Sequence, residues 1–262
     1  MRSPSVPTPP TIHDPVAVAD VNGDGHANLV TITTFGSAYV YPGQRNGTFS
    51  AGVASFAGTF DSAYRDGVGH WVIGAADVTG DGRADLVTAH SNGRAYVFPG
   101  WANLQFGSAV DSFRGTLDLG LTDGAGHQPV GVADVDGNGL ADLVTLAAGT
   151  VYVYEGTRRG AFGAAQESFA GTMASSQFGD DGHEIVGVYD VTGDGRADLI
   201  TVHSNQTAYV YPGRPTRRFA APAANFAGTL DSSRADGSGL ELVGEGPYPR
   251  RRTCAVTGCR AR

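Results

Sequence analysis

Oxygen-bearing side chains recur at alternate positions in DVNGDGHAN, which begins at residue 20. The run returns as DVTGDGRAD at 77, DVDGNGLAD at 134 and DVTGDGRAD at 190. Numbered from the first aspartate, positions 1, 3, 5 and 9 are Asp20, Asn22, Asp24 and Asn28 in the first run, and Asp77, Thr79, Asp81 and Asp85 in the second. The third run supplies Asp134, Asp136, Asn138 and Asp142, and the fourth Asp190, Thr192, Asp194 and Asp198. Glycine at position 6 (Gly25, Gly82, Gly139, Gly195) allows a sharp turn, and the position-7 carbonyls of His26, Arg83, Leu140 and Arg196 add a backbone oxygen. Such an all-oxygen set suits Ca²⁺, a hard ion that takes roughly six to eight oxygen ligands. The reading is up to four Ca²⁺ ions, one per loop.

The charge count agrees with that chemistry. The formal net charge is -8, and the loops hold two, three, three and three acids, so the rest of the chain is slightly positive. Four divalent ions would bring the total to zero, and without metal each cluster repels itself. An EF-hand is excluded, because position 12 is Thr31, Thr88, Thr145 or Thr201 instead of a bidentate Glu, and the flanks do not read as helices. Few formal charges and no bidentate Glu predict weak sites, roughly 10⁻⁴–10⁻³ M. A single D-x-x-G-D-G could be a plain polar turn. Four copies in phase favour the metal, with the first loop weakest because Asn28 replaces a carboxylate.

The elements that must hold these loops are strands. Short apolar runs (VAVAD, IGAAD, VGVAD, VGVYD) precede each loop, and β-branched runs such as DLVT follow. A turn and an alternating segment such as RAYVF come next; Asn92-Gly93 in the second copy is a hairpin signal. The loop aspartates are 57, 57 and 56 residues apart. His13, His70, His127 and His183, then Tyr39, Tyr96, Tyr152 and Tyr209, then Phe56, Phe113, Phe169 and Phe226 keep the same step. The missing residue of the third unit, where LAAGTVYV replaces AHSNGRAYV, falls at a predicted turn. The FAGT segments opened by these phenylalanines are expected as outer strands. Four short strands per unit, without a helical period, predict an all-β propeller or propeller fragment of about four four-stranded blades.

These loops and the strands ahead of them resemble the FG-GAP/VCBS repeats of the integrin alpha-chain N-terminal superfamily. The resemblance covers about residues 13–244. It implies a calcium-stabilised β-propeller, often seven-bladed, in extracellular adhesion, glycan-binding or enzyme-appended modules, with the calcium ligands on the loop residues named above. Asn28, Thr79 and Thr192 depart from the most acidic form of the motif.

The domain reading is a Pro-rich linker over 1–12, repeats over 13–244 and an Arg-rich tail over 245–262. A fifth unit starts with FAGTLDSSRADGSGLELVG and then breaks, which reads as a truncated or frame-shifted propeller. The alternative is a closed four-bladed ring. Open edges would promote self-association. The acidic balance argues against non-specific nucleic-acid binding, and no apolar run reaches the roughly 18 residues of a membrane span. MRSPSVPTPPT has no apolar signal region, and Cys254 and Cys259 carry only a weak metal signal.

The repeated histidines and aromatics are expected to pack or hydrogen-bond between blades. His90 and His203 are expected in solvent, Trp71 in the core, and Trp101 free for ligand contact. Asp66, Asp123 and Asp236 read as loop turns and Arg250–Arg252 as a solvated tail. With no nucleophile elbow, metalloprotease helix or phosphate loop, the expectation is no enzyme. The functional reading is a calcium-binding extracellular or cell-surface recognition module for glycan or protein. The alternatives are an accessory repeat domain of a secreted hydrolase, or a non-functional propeller fragment.

Overall fold

The computed structural model describes residues 11–56, 60, 69–113, 117, 126–169, 173, 183–203 and 207–227. Outside them lie most of the linker, the three residues after each of Phe56, Phe113 and Phe169, Asp66, Asp123, Asp236, the start of the fifth unit beyond residue 227, and the tail with its cysteines and arginines.

The chain is a four-bladed β-propeller. Blade 1 is β1 (His13–Ala19), β2 (Asn28–Thr33), β3 (Ala38–Tyr41) and β4 (Val53–Phe56). Blade 2 is β5 (His70–Ala76), β6 (Asp85–His90), β7 (Ala95–Phe98) and β8 (Val110–Phe113). Blade 3 is β9 (Gln128–Ala133), β10 (Asp142–Ala147), β11 (Thr150–Gly156) and β12 (Phe162–Phe169). Blade 4 is β13 (His183–Tyr189), β14 (Asp198–His203), β15 (Thr207–Tyr211) and β18 (Ala223–Ala227), with a small hairpin of β16 (Gly213–Arg214) and β17 (Arg218–Phe219) between the last two. Each blade is an antiparallel meander in chain order. The first strands line up side by side, β1 beside β5, β5 beside β9 and β9 beside β13, so they form the inner row. One backbone irregularity interrupts each first-strand pairing, at Pro15/Ala17, Val72/Gly74, Val144/Thr145 and Ile185/Gly187, adding local twist.

The second strand of each blade is buried on both faces. In β6, Asp85 to Ala89 are all buried, and β10 repeats the pattern. That explains the continuous β-branched and apolar runs, which suit a strand covered on both sides. Three apolar layers follow, one for each blade junction. Val21, Val30 and Val40 of blade 1 meet Leu86, Phe98 and Phe106 of blade 2. Val78, Val87 and Val97 meet Leu143, Tyr154 and Phe162. Val135, Val144 and Val153 meet Leu199, Tyr211 and Phe219. The junction is thus one three-against-three pattern used three times.

Two turns explain local sequence differences. In blade 2 the residues around Asn92-Gly93 close a loop in which the Gly93 N–H donates to the His90 carbonyl, and Gly93 has φ of 77°. In blade 3 Ala147 pairs directly with Thr150, leaving only Ala148 and Gly149 between them, both at positive φ. The missing residue of the third unit is this shorter hairpin. The outer strands differ from expectation: Phe56 and Phe113 close β4 and β8 instead of opening them.

Candidate metal centre

Each Asp-rich loop joins the first and second strands of its blade. Its shape comes from the position-1 carboxylate, which gathers the loop's own amides. Asp20 Oδ1 accepts from Gly23 N–H at 2.8 Å and Asp24 N–H at 3.2 Å, and Oδ2 accepts from Gly25 N–H at 2.7 Å. Asp77, Asp134 and Asp190 repeat the pattern. The turn needs glycine at positions 4 and 6, which have φ between 73° and 82° in all four loops, a region that L side chains avoid. Position 4 is also crowded: a Cβ on Gly80 would stand 2.4 Å from Leu140 of the next loop. The sequence reading marked only position 6.

The position-9 residue is fully buried in every loop, as Asn28, Asp85, Asp142 and Asp198. The three aspartates tie their loops to the end of the third strand, and Asn28 bonds within its own loop. Asp85 accepts from Val78, Thr79 and Gly100 N–H, and Asp198 from Val191, Thr192 and Gly213. Asp142 accepts from Val135 at 3.0 Å and Gly156 at 2.9 Å, and Asn28 Oδ1 accepts from Val21 at 2.8 Å. Burial pushes the Asp85 carboxyl up to about 6 and Asp142 up to about 7, against the backbone donors; neighbouring loop carboxylates push the same way. Asp136 is also raised, chiefly by burial.

Position 5 separates the loops. Asp81 Oδ1 accepts from Arg83 N–H at 3.0 Å, and its Oδ2 forms an ion pair with the Arg83 guanidinium. Asp194 and Arg196 do the same in the fourth loop. Asp24 accepts from His26 N–H and from Asn22 Nδ2, and the Asn22 bond is the main cause holding its carboxyl below the ordinary value. In the third loop Asn138 Oδ1 accepts from Leu140 N–H, and Leu140 brings no cation.

Fit to a divalent cation therefore differs by loop. Asp134, Asp136 and Asp142 bring one carboxylate oxygen each within 4.8 Å of one another, and this is the acidic cluster found among the described residues. Three carboxylates with no basic partner inside the loop suit a hard cation. In the first loop the Asn22 carbonyl oxygen is buried without a hydrogen-bond partner, the condition of an oxygen that lacks its ligand. These residues fit Ca²⁺, which would supply positive charge to the cluster and fix the turn. Thr79 and Thr192 present their amides to the position-9 carboxylates. The His26 carbonyl accepts from Asn28 Nδ2 at 3.3 Å.

The loops are also joined to one another. The position-8 N–H of Ala84 donates to the Asp20 carbonyl, that of Ala141 to Asp77 and that of Ala197 to Asp134, each at 2.7 Å. In blade 2 the loop holds the β7–β8 turn as well: Arg83 Nε donates to the Gly100 carbonyl at 2.8 Å while Asp85 accepts the Gly100 amide. Trp101, next in sequence, is 49% exposed. Trp71 is in the core, as its position predicted.

The sequence profile of FG-GAP-like repeats matches residues 20–88, 77–145 and 134–201. The chain belongs to the FG-GAP-like repeat family. A lectin from Agrocybe aegerita, solved for specific recognition of non-reducing terminal N-acetylglucosamine, superposes with a TM-score of 0.53 at 28% identity. The match covers 79% of this chain and 50% of the lectin, so this FG-GAP chain spans half the lectin's length. The Photorhabdus luminescens Tc holotoxin pore has the same fold over 83% of this chain and 9% of that chain, with a TM-score of 0.52 at 23% identity. No curated protein sequence matches. Among the described residues, no helix is long and apolar enough to cross a membrane.

The repeated histidines have a role that the sequence did not reveal. Their imidazoles bond inside their own blades, while the backbones of His70, His127 and His183 form parallel bridges with Phe60, Leu117 and Met173, whose amides donate to turn carbonyls of the preceding blade. His13, His70, His127 and His183 Nδ1 lie 2.9–3.1 Å from Thr31, Thr88, Thr145 and Thr201 Oγ1, the threonines at loop position 12. Tyr41, Tyr154 and Tyr211 hydroxyls complete the set in three blades; blade 2 has Phe98 there. His90 and His203 are half-buried, not solvated, and pack edge-on against His70 and His183 with centroids 4.7 and 4.6 Å apart.

Proposed function

We propose that this FG-GAP propeller is a calcium-stabilised glycan-recognition module acting outside the cell, where calcium is abundant enough to fill weak sites. It binds and does no chemistry. The carrying observation is the linkage in blade 2: Asp85 and Arg83 grip both backbone groups of Gly100 and so fix the turn that presents the exposed Trp101 indole. Sugars offer apolar C–H faces that stack on such a ring. An amino-sugar terminus is the first ligand to try, given the likeness to the Agrocybe lectin. Calcium in the third loop, held by Asp134, Asp136 and Asp142, would neutralise the cluster and stiffen the neighbouring second loop through the Ala141–Asp77 hydrogen bond.

A glycan array probed with calcium and with chelator tests this, alongside a Trp101→Ala variant. The expected result is binding to N-acetylglucosamine-terminated glycans that falls at least about tenfold on Trp101→Ala, with the calcium-induced rise in Tm kept. No glycan signal from a folded, calcium-loaded protein would remove the lectin reading and leave protein adhesion to be tried.

A further inference from the structure

Among the described residues, the first and last blades each carry one half of a junction that the molecule already makes three times. At each internal junction one blade offers a valine at loop position 2 with two β-strand valines, and the next offers Leu, Phe or Tyr, and Phe. On blade 4 the first kind of face consists of Val191, Ile200 and the already buried Val210; Val191 is 51% exposed and Ile200 partly exposed, whereas Val21, Val78 and Val135 are 0%. On blade 1 the second kind of face consists of Leu29, Tyr41 and Phe49. Phe49 is 50% exposed, whereas Phe106, Phe162 and Phe219 are buried.

The backbone matches too. Ala84, Ala141 and Ala197 are buried and each donates its N–H to the position-1 carbonyl of the preceding blade. Ala27, their counterpart in blade 1, is exposed, and so is Asp190, the counterpart of the accepting aspartates in blade 4. Among the described residues neither takes part in such a bond.

We propose that a second copy of this chain docks head to tail, blade 1 of one copy on blade 4 of the other. Val191, Ile200 and Val210 then receive the partner's Leu29, Tyr41 and Phe49, and the partner's Ala27 N–H meets the Asp190 carbonyl. The occupant follows from continuity: the open faces extend the internal interface at both ends, with the same residue types in the same phase. Such a contact is heterologous and generates a closed ring when the rotation permits. Two copies make eight blades, about the upper end of the propeller range.

Sedimentation of the full chain across the micromolar range tests the proposal. The expected species has twice the 27.0 kDa chain mass. Val191→Arg and Phe49→Arg each place an unpaired charge in the contact and should weaken association at least roughly 30-fold. Both residues are exposed in the single chain, so circular dichroism and melting of the separated chain should be unchanged. The decisive arm mixes the two variants. Each retains the face that the other lacks, so a dimer should return with one junction intact. A monomeric wild type overturns the proposal, and so does a mixture that stays monomeric, because the faces would then be covered by the same chain or paired like with like.

Discussion

The second and third Asp-rich loops fold alike and differ in what neutralises them. In the second, Arg83 stands at position 7 and pairs with Asp81, so one carboxylate is already satisfied by the protein. In the third, Leu140 stands there, Asp136 replaces Thr79 at position 3, and three carboxylates face one another with no loop cation. The backbone turn is the same in both, with glycine φ values of 73° and 82° against 76° and 82°. The turn alone therefore does not decide how well a loop fits a cation; the charge balance inside it does. The fourth loop follows the second, with Arg196 on Asp194.

The sharpest way to break this contrast is Asp142→Ala. It strips Val135 and Gly156 amides of their buried acceptor as well as removing a ligand, and should destabilise the protein by about 2–4 kcal/mol while abolishing the calcium-dependent rise in Tm. Calorimetry with and without calcium reads both effects. If Asp85→Ala in the second loop removes the same calcium response, the contrast between loops is wrong. Exchanging position 7 comes next. Leu140→Arg should weaken calcium at the third loop about tenfold, and Arg83→Leu should strengthen it at the second by a comparable factor, since one charge near the site is worth about 1.4 kcal/mol at intermediate dielectric. Titration calorimetry follows both. Thr79→Asp adds the missing position-3 acid to the second loop, and should raise its affinity by a smaller factor, about threefold, because Arg83 remains.

Acid offers a last and smallest separation, now between blades. His70 is held down to about 4, mainly by burial and then by the nearby His90, among Phe60, Tyr96 and Phe98. Its folded value lies below the ordinary 6.5, so its contribution is complete above pH 6.5 and is lost as pH falls toward about 4. A melting curve recorded through that window should fall by about 2–4 °C more than that of a His70→Phe variant.

Much of this architecture was legible in the chain. A repeat of 56 or 57 residues, short β-branched runs and glycine-anchored acidic loops specify strands, turns and blades by themselves. Less legible were features that depend on neighbours in space. Thr31, Thr88, Thr145 and Thr201 looked only like failed EF-hand ligands, yet they face the histidines across the first strand pairing. Arg83 and Arg196 were counted as donors of a carbonyl, whereas their side chains neutralise the loop and hold Gly100 and Gly213. Leu86, Leu143 and Leu199 follow their loops like any strand leucine, and the structure shows that each sits at a different one of three successive junctions. Position-2 valines carried no signal of their own, because a lone Val beside an Asp loop has many explanations.

The Ala-to-Asp hydrogen bonds that stitch one loop to the next bear on how the chain acquires its shape. Among the described residues every sheet lies within a single repeat, and every stitch or bridge between repeats joins neighbours in sequence. Folding can begin in any blade and spread to its neighbours, as in other linear repeat arrays. During synthesis a finished blade presents its valine face and its aspartate carbonyl as a template for the next one emerging, so the propeller grows in the direction in which it is translated.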